Sequence, residues 1–164
     1  LQAGFVRKIL LSALVIGAFT LSAFATPVPA VATARWVDWP LAGPILRLPV
    51  IPYPNWKPGH RGIDLAVEPG AVIRAPAKGV ITWVGEINHT LSITVTDRYG
   101  YRHTMLPIET AHAVGDEVAR GETLGTVATS DHCTRSCLHW GIRKGRTYID
   151  PRWLAPPLIY RLPR

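Results

Sequence analysis

Two short stretches carry side chains able to hold a metal ion. His60-Arg61-Gly62-Ile63-Asp64 places an imidazole and a carboxylate four residues apart. On an extended strand that even spacing puts both on one face, about 13 Å apart. They share a metal only if the chain turns between them, and Gly62 permits a turn. Further on, Cys137-Leu138-His139-Trp140-Gly141-Ile142 alternates: Leu138, Trp140 and Ile142 form an apolar row, while Cys137, His139 and Gly141 face the other way. His139 then points into a cleft. His60, Asp64 and His139 together offer two ring nitrogens and a carboxylate oxygen, which suit zinc. A site with three protein ligands and a fourth position for water is the catalytic arrangement, in which acidified water attacks a carbonyl. By spacing alone, a lone histidine is more often a surface or hydrogen-bonded residue than a ligand.

The surrounding pattern is one of short strands. Ala71–Ala75 follows a Pro69-Gly70 turn, and Gly79–Val84 comes next. Leu91–Asp97 alternates apolar and polar residues as a half-buried strand does. Tyr101–Met105 returns after Tyr99-Gly100 as its hairpin partner. Val114–Val118, Glu122–Val127, Leu138–Ile142 and Thr147–Ile149 complete the set. Asp150-Pro151 reads as an N-cap and first helical residue of a short C-terminal helix through Leu154. The segments PGAVIRAPAKG and VGDEVARGETLG echo each other weakly. The expected fold class is all-β, with a compact antiparallel β-sheet core of barrel or sandwich type.

The 164 residues leave room for one domain and some extra chain. With 48% hydrophobic and 18% charged residues the chain is far from disordered composition, and 14 Gly and 15 Pro favour turns over a helix bundle. The net charge is +7, but the basic residues form no run, so nucleic acid is not the expected partner and an anionic wall polymer fits as well. Arg7 and Lys8 precede 17 uncharged residues, Ile9–Ala25, ending in Ala23-Phe24-Ala25. This is the grammar of a secretory signal cut after residue 25, leaving 139 residues and +5, with Ala32-Thr33-Ala34 as a second site. An uncleaved membrane anchor is the other reading, at the short limit for a spanning helix. Either way the domain is expected outside the cytoplasm. Residues 26–57 are rich in proline and read as a linker and packing arm, and residues 58–164 as the β domain.

HRGID, GVITWVG, VGDEVARGETLGTV and CLHWGI occur in that order over about Pro58 to Leu154. This order resembles the lysostaphin/LytM-type zinc endopeptidases, which cut peptidoglycan cross-links and bridges. The resemblance implies an antiparallel β core, a signal peptide and one zinc ion. It implies that the ligands are His60, Asp64 and His139. Two departures stand out. The first histidine of the family's H-x-H motif is Cys137 here, and the histidine of its Y-x-H-L strand end is replaced by Pro107 or Leu106. Both non-ligand histidines that aid catalysis are therefore missing, and such acid–base help is worth about 10²–10⁴-fold. His132 and Glu109 are the candidate substitutes. His103 lies too far from Pro107 along a strand, and His89 and His112 read as surface residues.

Cys137 has three readings: a disulfide with Cys133, as nearby cysteines form in an oxidising compartment, a fourth zinc ligand that closes the site, or a thiol nucleophile. Trp56, Trp140 and Trp153 are candidate core residues, while Trp36, Trp39, Tyr53 and Trp56 form either a groove wall or an arm over a sheet edge. The expected function is hydrolysis of peptidoglycan peptides. The alternative is a catalytically degenerate relative that binds wall peptides or regulates another cell-wall hydrolase. A lipoyl or biotinyl carrier modified at Lys78 is a third class, which export makes improbable.

Overall fold

Alternating strands need a second layer to bury their apolar face, and this chain supplies one from two short strands far apart in sequence. The structure is a computed structural model that describes residues 37–131, 133 and 135–157. The signal segment with its cleavage points, Trp36 and His132 lie outside the described residues. The strands are β1 (Ile45–Arg47), β2 (Gly62–Ala66), β3 (Val72–Arg74), β4 (Gly79–Ile87), β5 (Thr90–Asp97), β6 (Tyr101–Leu106), β7 (Glu117–Val118), β8 (Thr123–Thr126), β9 (Cys137–Lys144) and β10 (Thr147–Ile149). One sheet runs β1-β2-β9-β6-β5-β4-β7, with β10 also paired to β9, and β3 and β8 form a second. All the pairs are antiparallel. No helix among the described residues is long and apolar enough to cross a membrane.

The expected all-β class is what the chain adopts. The C-terminal helix reduces to one 3-10 turn, Pro151–Trp153. Asp150 caps it by accepting from the Arg152 amide at 3.0 Å, and Pro151 occupies the first helical position. Prolines at 156 and 157 leave no room for a longer helix.

The core forms where the large sheet faces β3 and β8. Ile81, Ile93, Val95, Met105, Leu138, Trp140 and Ile142 come from the large sheet, and Ile73 and Leu124 from the small one. Each such side chain, fully buried, contributes about 1.5–3 kcal/mol. Trp140 alone fulfils the sequence expectation of a core tryptophan, because Trp56 is 81% and Trp153 78% exposed. The proline-rich arm packs on the domain: Val37 is buried, Trp39 meets Trp140 edge-on at 5.3 Å, and β1 pairs with β2. Trp39 is thereby occupied in packing and is not among the residues that line the cleft.

The other face of the large sheet is open. Its floor is read directly from register: His139 opposite Leu106, Gly141 opposite Thr104, and Thr104 opposite Thr94. A bulge in β4 between Ile81 and Trp83 reverses the alternation there. Ile81 stays opposite Val95 in the core, while Trp83 comes opposite Thr94 on the open face. Trp83 Nε1 donates to Ser92 Oγ at 3.0 Å, which holds the indole against the hairpin.

Candidate metal centre

Register places two of the three expected ligands directly. Asp64 on β2 is the cross-strand partner of His139 on β9, so both side chains emerge on the open face. His60 precedes β2 and is anchored by its backbone bridge to Val50. The chain does not turn at Gly62 as the spacing suggested. Gly62 lies inside β2 and is not among the glycines with positive φ. Its contribution is room: a Cβ there would meet His139 Nε2 at 2.6 Å and the Trp140 carbonyl oxygen at 2.4 Å. Gly62 and its partner Gly141 keep the face bare, so the imidazoles of His60 and His139 come together edge-on, 4.9 Å between centroids.

The three ligand atoms converge. His60 Nε2 lies 3.0 Å from Asp64 Oδ1 and 3.1 Å from His139 Nδ1, and His139 Nδ1 lies 2.7 Å from Asp64 Oδ1. His60 Nδ1 sits 2.8 Å from the Leu48 carbonyl oxygen. A carbonyl only accepts, so Nδ1 carries a hydrogen and it is Nε2 that faces Asp64 and His139. A cation placed between them would take up the lone pairs of both ring nitrogens and of the carboxylate at once. Zinc ligands at about 2.0–2.2 Å in a tetrahedral array are about 3.3–3.6 Å apart, so these atoms, 2.7–3.1 Å apart, would spread around the ion. The donor set therefore fits a zinc ion. His60 and Asp64 are buried, while His139 is part-exposed toward the cleft.

That cleft has a volume of about 1000 Å³. Trp83, Ile87 and Leu91 of the β4–β5 hairpin, residues 128–131 and Tyr148 are among the residues that line it. Asn88 and His89 turn the hairpin with φ of 49° and 60°. His89, read as a surface residue from sequence, is on the cleft rim.

The remaining candidates fall in different places. Cys133 and Cys137 are bonded to each other, Sγ–Sγ 2.02 Å, so neither sulfur is a thiolate able to ligate or attack. Both Leu106 and Pro107 line the cleft where the resemblance expects a histidine. Glu109 is exposed and absent from the cleft lining, because its backbone bridges Thr126 beyond buried Ile108. His103 faces the opposite side of the sheet, fully buried against Trp140, with Nε2 3.6 Å from Asp97 Oδ2. Burial raises the Asp97 pKa, but the His103 side chain and the Tyr101 and Tyr99 amides outweigh it and hold it below the ordinary carboxylate value. His112 bonds Asp116 and the Thr123 carbonyl, away from the cleft. Sequence reasoning missed the Leu48 carbonyl behind His60 and the clearance supplied by Gly62, Trp83 and Tyr148 as cleft walls. For Trp83 the only signal was a tryptophan in an otherwise core-like strand.

Residues 58–151, which contain all three converging ligands, match Peptidase family M23. The chain belongs to peptidase family M23. The match takes in β2 through β10 and the capped end of the domain. An uncharacterized protein of Mycobacterium tuberculosis is 30% identical to this M23 chain over 165 aligned residues, 96% of this chain and 65% of that protein. The chain thus spans about two thirds of that relative's length. A zinc containing peptidase from Vibrio cholerae shares the fold with a TM-score of 0.62 at 18% identity, over 79% of this chain and 41% of that one. The solution structure of lysostaphin does so with a TM-score of 0.60 at 20% identity, over 79% and 60% of the two chains. The resemblance carried by HRGID and CLHWGI is therefore matched in family and in fold.

Proposed function

We propose that this M23 domain is an exported zinc metalloendopeptidase acting on the peptides of peptidoglycan. The observation that carries this reading is the convergence of His60 Nε2, Asp64 Oδ1 and His139 Nδ1 at the floor of an open cleft. A zinc ion held by these residues would polarise a scissile amide carbonyl and make water acidic enough to attack it. Asp64 supplies the negative charge of the ligand set, and the Leu48 carbonyl fixes the tautomer and orientation of His60. The bare floor of Gly141, Thr104 and Thr94 admits an extended peptide, and Trp83 offers it an apolar wall. His132 is the proposed proton-handling group, since its chain neighbour Asp131 lines the cleft and Cys133 is tied to Cys137. Export is supported by the Arg7-Lys8 and Ile9–Ala25 pattern and by the disulfide, which persists in oxidising compartments. The zinc containing Vibrio cholerae peptidase on the same fold supports the choice of metal.

A second reading rests on Pro107 and the bonded Cys137. Neither offers a proton acceptor where the resemblance expects a histidine, which favours a domain that binds wall peptides or regulates another cell-wall hydrolase. Hydrolysis of purified peptidoglycan by the zinc-loaded chain, followed as new amino groups, separates the two. The peptidase reading expects release by the parent, none by His139→Ala and at least a hundredfold loss in His132→Ala. Zinc bound one to one and wall peptide retained without any release would overturn it in favour of the second.

A further inference from the structure

The cleft continues beyond the metal centre into an arginine pair that the hydrolytic reading leaves unused. Arg102 on β6 is the direct cross-strand partner of Arg143 on β9, and both line the cleft. Like charges directly opposite one another on a sheet destabilise it. Arg120 and Arg152 are matched to carboxylates, Asp38 and Asp150 respectively. Among the described residues neither Arg102 nor Arg143 makes an ion pair. Arg143 is instead held by Tyr148, its Cζ 5.9 Å from the ring centroid. Arg61 stacks on the same ring at 5.5 Å and is committed to the carbonyls of Asn55 and Lys57. Apart from Asp64 of the metal centre, Asp131 is the one carboxylate of the described cleft, set against three arginines.

The geometry ties this pair to the metal centre. His139, Gly141 and Arg143 follow one another on the same face of β9, and His139 to Arg143 is about 13 Å along the strand. Gly141 and Thr104 between them present little or no side chain. A peptide lying along this floor from the metal toward Tyr148 meets both guanidiniums within about two to four residues. Half-buried guanidiniums facing a shared space bind planar carboxylates through paired N–H donors, which an amide or hydroxyl cannot match.

We propose that Arg102 and Arg143 form a carboxylate subsite, selecting peptides that carry a free carboxylate two to four residues from the bond presented to the metal. Applied to the peptidase reading, on which this assignment of substrate rests, it names the carboxylate-bearing stem peptides of peptidoglycan and not neutral bridge peptides.

The test uses a wall stem tetrapeptide with free carboxylates and the same peptide with every carboxylate converted to carboxamide. Both are titrated calorimetrically into the zinc-loaded chain at low salt. The free form is expected to bind at least tenfold tighter. That preference falls below threefold in Arg102→Gln and in Arg143→Gln, and persists in Arg120→Gln, whose arginine lies outside the cleft. Unchanged zinc affinity in the two cleft variants shows that they remain folded. Equal binding of the two peptides, a preference that survives both cleft substitutions, or no binding of either peptide overturns the subsite. Peptidoglycan hydrolysis by the parent without a carboxylate preference removes the subsite and leaves the peptidase reading. An arginine-dependent preference with neither zinc binding nor hydrolysis does the reverse.

Discussion

Substituting Gly62 by alanine tests how tightly β2 sets the metal centre. A Cβ at residue 62 would lie 2.6 Å from His139 Nε2, 2.8 Å from its Cε1 and 2.4 Å from the Trp140 carbonyl oxygen. Ordinary contact begins near 3.4 Å, so the ring or the strand must yield by about 0.8 Å. Zinc–ligand distances tolerate about 0.2 Å, four times less. Moving the ring therefore spoils the ligand set, and moving the strand breaks the Asp64–His139 register. Overpacking of this kind costs about 1–3 kcal/mol of stability, and displacing a ligand costs about 10–100-fold in metal affinity. Gly141→Ala is the matched comparison. Its Cβ would lie 3.6 Å from the same His139 Nε2, with only the Arg61 carbonyl oxygen closer, at 3.1 Å. Neither glycine has a positive φ, so backbone strain enters neither variant. Zinc affinity is measured by competition with a chromophoric chelator, and metal-free stability by urea unfolding. Gly62→Ala should lose at least tenfold in affinity, and Gly141→Ala less than threefold. A Gly62→Ala protein that binds zinc within twofold of the parent, or a Gly141→Ala protein that loses as much, refutes the reasoning.

Further outcomes follow from the same contacts. Zinc at 1,000 times its Kd should raise unfolding stability by about 4 kcal/mol, read as a urea midpoint shift that is absent in His139→Ala. Reducing the Cys133–Cys137 bond, whose sequence separation is four, should cost about 2 kcal/mol while leaving zinc affinity within threefold. Tightening of zinc by more than tenfold on reduction would instead make a thiolate a ligand. The folded pKa of Asp97 lies below its unfolded value, so its ionised form stabilises the fold. That contribution is present above about pH 3.9 and is lost as pH falls through the folded value. Urea unfolding of Asp97→Asn across this acid range should show a flatter pH dependence than the parent; an unchanged profile would contradict the assignment.

The pairing of Asp64 with His139 was legible because it depends on residue type and on the alternation a strand preserves. The approach of His60 was not, since it precedes β2 and reaches Asp64 without the turn at Gly62 that the spacing suggested. His139 alternates with Leu138 and Trp140, and burial of those two turns it outward. What closes the site was not legible, because it comes from distant chain. The Leu48 carbonyl reaches His60 only when the arm folds back through β1, a three-residue strand flanked by prolines with no periodicity of its own. Trp83 was hidden by the bulge in β4, since simple alternation puts it on the same side as Ile81. His103 was judged by its distance along the strand, whereas its parity with Met105 decides the matter by sending it into the core. Trp56 and Trp153 show the limit of hydrophobicity as a guide, because an aromatic ring on an arm or after a cap has no facing layer to enter.

In the proposed centre three side chains hold one zinc with a position left open. X-ray absorption at the zinc edge, on the full chain loaded to saturation and checked for stoichiometry by mass spectrometry, tests this most directly. One zinc per chain is expected, surrounded only by nitrogen and oxygen at about 2.0–2.2 Å, with a signature of two imidazoles that falls to one in His139→Ala. Sulfur at about 2.3 Å, or no zinc retained by the parent, would contradict it.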